Sequence, residues 1–404
     1  MQLVGPDGKQ RNYQEGTPLV DIAPDYQAAY DTPIALGVLN GREVPLQMIP
    51  QEGDRICFLD MNSVESYNTY ISTFLFVLIA AMNRARPQVM LEVQNTFGNA
   101  LYCDIKNKIV LSDYDLADVA AEMKAMIQEK TPITLSFKKK QEAWSYVKPR
   151  FYCDQAPLLS ALPDDVEIPV YELDGVSAYF VNPLLPHLGY LKEFELIRMG
   201  SGILLRYGKR GHYDRLEPFA RRDKLAAVYA DSEKMGQRLH CPTVAALNQF
   251  IKRGNSREII LACEAQHEKK IAQIADAIAS EERGVRLVLI AGPSSSGKTT
   301  FSQRLAVQLR VNGMRPIPIS MDNYFKERKD TPRLPDGSYD FESLGALDTD
   351  LFNEQLHELL QGKTVTIPHF SFHTGTRSYR DQKEQLGDCL LYTSPSPRDI
   401  SGSR

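Results

Sequence analysis

With 404 residues the chain is long enough for two or more domains. Hydrophobic residues make up 43% and charged residues 24%, the balance of a water-soluble globular protein, and a net charge of −4 gives no global attraction to nucleic acid or to an anionic membrane. Six cysteines without a C-x-x-C pair argue against a zinc ribbon or a disulfide framework and suit a reducing cytoplasm, and the opening MQLVGPDGKQ lacks the apolar run of a signal peptide.

Residues 1–60 read as a small β-rich unit. Asp7-Gly8 marks a hairpin turn between Leu3-Val4 and a strand at Tyr13, and residues 34–39 run into Asn40-Gly41, a second hairpin turn, before Val44 and Leu46. Leu19, Ile22 and Ala23 suggest a short helix, and Gly53-Asp54 precede a strand over 55–59. With Gly8, Gly16-Thr17, Ile22-Ala23, Val38-Leu39-Asn40-Gly41 and Gly53-Asp54 in these places, the segment resembles the ubiquitin-like TGS domain, a β-grasp fold, at the front of threonyl-tRNA synthetases. That resemblance implies RNA or regulatory contacts; a purely structural module is the alternative.

Residues 61–215 read as an α+β unit. The most apolar window, 70–82, is too short to span a bilayer and is expected to be a core helix over 71–82. Beyond Pro87, residues 89–93 predict a strand. Leu116, Val119, Ala120, Met123 and Ile127 then share one face of a helix over 115–127, with Ser112 as candidate N-cap. In layout this block is similar to the second additional domain of threonyl-tRNA synthetases, which hydrolyses mischarged tRNA. The family's activity uses an H-x-x-x-H pair with a later Cys and His, whereas the first histidine of this chain is His187, so the resemblance is one of scaffold only. Cys103 and Cys153 are expected to be buried small hydrophobes. Lys138-Lys139-Lys140 is read as a solvated strand end, with contact to RNA phosphates as the alternative.

Residues 216–284 read as a helical connector, with Val244, Leu247 and Ile251 on one helical face and a longer amphipathic helix over 260–278. A short apolar run, 287–291, then predicts a buried strand. It leads into Gly292-Pro293-Ser294-Ser295-Ser296-Gly297-Lys298-Thr299, which fits G-x-x-x-x-G-K-[ST], followed by Thr300 and the helical spacing of Phe301, Leu305, Ala306 and Leu309. Glycines at 292 and 297 let the backbone turn where a Cβ would clash, and loop amides with a helix N-terminus then face an anion. Such a loop is an ATP-binding element in which Lys298 reaches the terminal phosphates and the Thr299 hydroxyl ligates Mg²⁺. A second strand over 315–320 ends at Asp322-Asn323-Tyr324-Phe325, and a carboxylate at a strand's carboxyl end can meet a substrate hydroxyl or simply cap a turn.

Over 292–377 the chain resembles the uridine kinase and phosphoribulokinase family. The resemblance rests on GPSSSGKTT, Asp322-Asn323-Tyr324-Phe325, Asp340-Phe341-Glu342 through Ala346-Leu347-Asp348, Gly362-Lys363-Thr364-Val365 before Ile367-Pro368, and Arg377. It implies that Asp322 acts as base toward a sugar hydroxyl, that Glu342 contacts ribose hydroxyls, and that Tyr324, Phe370 and Arg377 lie on the substrate side. Uridine and cytidine kinases carry a Tyr and a His where this chain has Phe370 and Gly375, so readout of a pyrimidine edge is weakened. His369 and His373 flank those positions as surface or turn residues or as substitutes.

The final run, CLLYTSPSPRD at 389–399, is expected to continue no helix or strand. It resembles a translated sequencing adapter, with a Ser/Pro-rich tail as the alternative. The resemblance to the kinases implies further strands, a Mg²⁺-binding acid and lid arginines after Asp388, so the chain as written is expected to be inactive. The resulting expectation is multidomain: a β-grasp, TGS-like domain at 1–60, an α+β synthetase-like domain at 61–215, a helical connector at 216–284, an α/β P-loop kinase domain with an incomplete parallel sheet at 285–388, and a non-native tail at 389–404. The expected function is ATP- and Mg²⁺-dependent phosphoryl transfer to a nucleoside-like or sugar-like small molecule, without membrane contact. An RNA-binding regulatory protein with a nucleotide switch, touching RNA through the front half, is the rival.

Overall fold

The computed structural model describes residues 1–146, 159, 162–219, 222–280, 282, 284–292, 296–341, 343–385 and 387–393. The chain divides into two compact units between Arg253 and Gly254.

In the first unit, strands Gln2–Val4 and Gln10–Asn12 pair antiparallel across a turn containing Asp7 and Gly8. Strand Ile34–Leu39 lies between Arg42–Val44 and Ile56–Asp60. Asn40 and Gly41, at φ 51° and 82°, make the tight hairpin that Asn-Gly favours. Leu3, Leu19, Ile22, Ile34, Leu46, Ile56 and Phe58 form the local core.

Helix Val64–Ala85 follows, opened by Ser63, whose side chain accepts the Ser66 N–H. At 22 residues it is longer than the apolar window at 70–82, and by length and composition it could cross a membrane. Its Tyr70, Phe74, Val77, Leu78 and Ala81 are instead buried in the unit's main core. Two antiparallel sheets share that core. One has the order Phe194–Met199, Gly202–Tyr207, Ala100–Ile105, Leu91–Thr96, and the other Val176–Ala178, Glu167–Leu173, Thr134–Lys139. The strand expected over 89–93 begins later because the Val89 N–H turns back to the Arg86 carbonyl. Helix Asp113–Gln128 is capped by Ser112, with Asp115 returning the bond as a capping box. Arg86 joins the two helices through Asp115 and Asp118 at 2.7 and 2.8 Å. Cys103 is fully buried, and burial pushes its thiol up to about 12, so it packs as an inert hydrophobe. Cys153 lies outside the described residues.

The segment read as one connector is divided. Helices Asp223–Arg238 and Val244–Lys252 belong to the first unit, and Ser256–Ala279 belongs to the second. Val244, Leu247 and Ile251 share a face, but it is exposed.

The second unit is built on a parallel sheet in the order Leu287–Ile290, Cys389–Thr393, Pro316–Ser320. This corrects the expectation that nothing regular follows Asp388: Cys389–Thr393 is the middle strand and is buried throughout. Its residues alternate strictly, which is why a short run can hold two layers. Cys389 and Leu391 pack with Ile271 and Ala275 of helix Ser256–Ala279 and with Leu305, Ala306 and Leu309 of helix Lys298–Val311. Leu390 and Tyr392 pack on the other face with Ile319, Tyr324, Leu359 and Val365. Strand Leu287–Ile290, expected to be buried, is instead an edge strand paired on one side, with Leu289 69% exposed, because only one neighbour covers it among the described residues. Helix Thr349–Leu360 and the antiparallel pair Thr364–Ser371 and Thr376–Gln385 complete the unit. Residues 394–404 lie outside the described residues.

Since Leu391 is fully buried, Leu391→Ala should destabilise the second unit by about 2–5 kcal/mol. Urea denaturation followed by peptide-resolved hydrogen exchange should show the loss over 287–320, while helix Val64–Ala85 keeps its protection.

Candidate active site

Parallel pairing decides what meets at the carboxyl edge of the sheet. Thr393 sits opposite both Ile290 and Ser320, so the three strands end level. With strands about 4.8 Å apart, the exits of the outer two lie roughly 10 Å from each other. One exit leads to the glycine-rich loop and the other to Asp322, the place where an open α/β sheet collects function.

The loop is closely folded. A Cβ built on Gly292 would lie 2.8 Å from Ser296 Oγ and 3.4 Å from Lys298 Cγ, so a side chain here would displace the Ser296 and Lys298 side chains. Gly297 has φ 82° and precedes helix Lys298–Val311 directly, so no side chain caps that helix. Its first-turn amides and the positive end of a 14-residue helix face the loop. Lys298 is 9% exposed, and its ammonium group donates to the Gly292 carbonyl at 2.9 Å, folding back across the loop. Ser296, Thr299 and Thr300 are exposed. Ser294 and Ser295 lie outside the described residues. The tight glycine, the uncapped helix start, the lysine and the accessible Thr299 hydroxyl together suit a nucleotide polyphosphate with a magnesium ion.

Across the sheet, residues Met321–Tyr324 form a single 3-10 turn, and Ser320 Oγ accepts the Asp322 N–H at 3.3 Å. Asp322 is half-buried at the start of this turn. Three other residues expected on the substrate side lie in the interior. Tyr324 is fully buried, its hydroxyl donates to Gln355 Oε1 at 2.9 Å, and burial pushes its phenol up to about 12. Phe370 is 7% exposed, with ring centroids 5.7 Å from Phe325 and 5.1 Å from Phe372, so its ring packs in an aromatic cluster of the core. Arg377 donates from Nη1 to Asp348 Oδ2 at 2.8 Å and from Nη2 to the Phe325 and Tyr324 carbonyls at 2.9 and 3.3 Å. Glu342 lies outside the described residues. Gly375 has φ 70° and its carbonyl accepts the Arg328 N–H, so a turn requirement explains the glycine. His373 is exposed and His369 half-buried.

Sequence reasoning assigned no role to Asp348 or Gln355. Asp348 carried a readable signal, since its side chain caps helix Thr349–Leu360 by accepting the Leu351 N–H at 3.2 Å. Gln355 sits mid-helix, and its link to Tyr324 and to the Thr366 carbonyl depends on tertiary contact alone. Burial by itself would raise the Asp348 carboxyl, but the hydrogen bonds from Arg377 and the Leu351 N–H outweigh it and hold the group below its usual range. A depressed folded pKa gives stability that is full above the unfolded value and lost as pH falls through the folded one. Asp348→Asn should therefore destabilise the second unit at pH 7, and the difference should shrink below pH ~4 and vanish only once the depressed folded carboxyl is protonated as well. Denaturation midpoints measured across that range check this.

Residues 287–393 match the model of the Phosphoribulokinase / Uridine kinase family. The N-terminal region matches threonine-tRNA ligases. The chain is 24% identical over 278 residues to the ligase of Bacillus velezensis, covering 63% of this chain and 43% of that one. It is 27% identical over 188 residues to the ligase of Chlamydia trachomatis serovar D, covering 46% and 29%. The chain thus spans less than half the length of these relatives. Among solved structures, a possible uridine kinase from Bacillus stearothermophilus aligns with a TM-score of 0.28 and 27% identity, over 33% of this chain and 72% of that one.

Proposed function

We propose, from the family match of residues 287–393, that this protein is a P-loop phosphotransferase that moves the γ-phosphoryl group of ATP to a hydroxyl of a nucleoside-like or sugar-like acceptor. The observation that carries the reading is the level ending of the three parallel strands, with the loop at 292–299 and Asp322 at one edge. ATP and Mg²⁺ supply the transferable group and its charge compensation. Gly292, Ser294, Ser295, Ser296, Gly297, Lys298, Thr299 and Thr300 form the nucleotide-binding loop. In this role Lys298 leaves the Gly292 carbonyl for the terminal phosphates, and Thr299 holds the metal. Asp322 orients the acceptor hydroxyl and takes its proton. Little else is asked of the protein, because phosphoryl transfer depends mainly on positioning and electrostatic stabilisation.

Recognition of the acceptor then rests on its sugar, with Asp322 and Glu342 as the groups toward the hydroxyls. The buried Phe370 and the turn glycine Gly375 offer a pyrimidine edge no hydrogen bond, so discrimination among bases should be low.

The matches to threonine-tRNA ligases favour a second reading, in which a TGS-like and synthetase-like front half contacts RNA and the loop is a nucleotide switch. Filter binding to tRNA at several salt concentrations separates the two. The switch reading requires binding that weakens steeply with salt, as phosphate contacts do.

Lys298→Ala should lower turnover by about two orders of magnitude or more, the effect of removing one charge-stabilising donor worth ~3 kcal/mol. A steady-state assay with ATP and uridine measures it, and near-parental turnover removes Lys298 from the reaction. Asp322→Asn keeps the shape and removes the proton acceptor, so ATP affinity by calorimetry should survive while transfer collapses. An equal loss of both would make Asp322 a metal or structural residue.

A further inference from the structure

The turn that carries Asp322 is only Met321–Tyr324, and a 3-10 turn of this length has few bonds of its own. Its far end is held from outside. The Tyr324 carbonyl accepts the Asp348 N–H at 2.8 Å and Arg377 Nη2 at 3.3 Å, and the Phe325 carbonyl accepts Arg377 Nη2 at 2.9 Å. Arg377 Nη1 reaches Asp348 Oδ2 at 2.8 Å, while the other carboxylate oxygen of Asp348 caps helix Thr349–Leu360. One guanidinium on strand Thr376–Gln385 therefore joins the Asp322 turn to a helix N-terminus.

We propose that Arg377 is a positioning residue: it pins the Tyr324 and Phe325 carbonyls to Asp348 and so sets where the Asp322 carboxylate stands at the sheet edge. The proposal rests on the phosphotransfer reading for its catalytic meaning. The Arg377 side chain is 13% exposed, and both terminal nitrogens are committed to protein oxygens. Its Nε is sealed from solvent and has no partner among the described residues. A carboxylate and two carbonyls held at once suit the planar, multi-donor geometry of arginine, which a lysine ammonium does not reproduce. Asp322 is two residues from Tyr324 inside the same turn, so a shift at the pinned end is passed directly to the carboxylate. Misplacing a reacting group by about 1 Å costs on the order of a hundredfold in rate.

The test uses the full chain with Arg377→Lys, Asp348→Asn and the double variant. Asparagine still caps the helix, so Asp348→Asn removes the ion pair while keeping the helix start. Peptide-resolved hydrogen exchange should be about tenfold faster over 321–326 in each variant, in excess of any rise over strand Pro316–Ser320 and helix Lys298–Val311 of the same unit, with helix Val64–Ala85 of the first unit unchanged as internal control. With ATP and uridine as probes, kcat should fall about ten- to a hundredfold while KM for uridine and ATP affinity stay within about twofold. The double variant should be no worse than Arg377→Lys alone, because both substitutions break one unit. A rise in KM with kcat and exchange unchanged makes Arg377 a substrate contact and overturns the proposal, as does unaltered exchange in both variants. Exchange needs no turnover, so the clamp and the phosphotransfer reading fail separately. If the parent chain transfers no phosphoryl group, the catalytic role is overturned even where exchange shows the clamp.

Discussion

Two hydrogen-bond ladders on a single strand hold the second unit's chemistry together. Cys389–Thr393 pairs on one side with Leu287–Ile290 and on the other with Pro316–Ser320, both parallel. Parallel sheets are stable only when both faces are covered. Here the alternation of Cys389 and Leu391 with Leu390 and Tyr392 sends two side chains to each layer. The register of the two ladders brings the loop at 292–299 and Asp322 to the same edge of the sheet.

The two halves of that edge are held in different ways. On the loop side the anchoring is local: glycines at 292 and 297 permit the turn, and Lys298 closes it onto a carbonyl. On the Asp322 side the anchoring is long-range. Arg377, Asp348, Gln355 and the Thr366 carbonyl bind the turn to a helix and two strands. A half-buried guanidinium is tolerated there because the Asp348 carboxylate and two backbone carbonyls replace its water.

The first unit follows a different physical plan. Its core runs along one face of helix Val64–Ala85, whose buried residues extend from Ser66 to Met82, with two antiparallel sheets and helix Asp113–Gln128 around it. Half-buried Arg86, paired with Asp115 and Asp118, fixes the helix crossing where apolar contact ends. A helix apolar enough to be mistaken for a membrane span is thus the centre of a folded unit, which burial makes plain and composition does not.

What the sequence by itself determined is what depends on neighbours in the chain. Asn40-Gly41 makes its turn because both residues accept positive φ, Ser112 caps its helix because Asp115 is three residues on, and the strand, glycine loop and helix around Lys298 follow from spacing. The tertiary structure decided everything that depends on partners far along the chain. Cys389–Thr393 reads as the start of a non-native tail until its alternation meets two covered faces. Tyr324, Phe370 and Arg377 have residue types as suitable for a ligand as for a core, and only Gln355, Phe325, Phe372 and Asp348 draw them inward. A side chain's type sets which interactions it can make, and the packing of distant segments sets which one it makes.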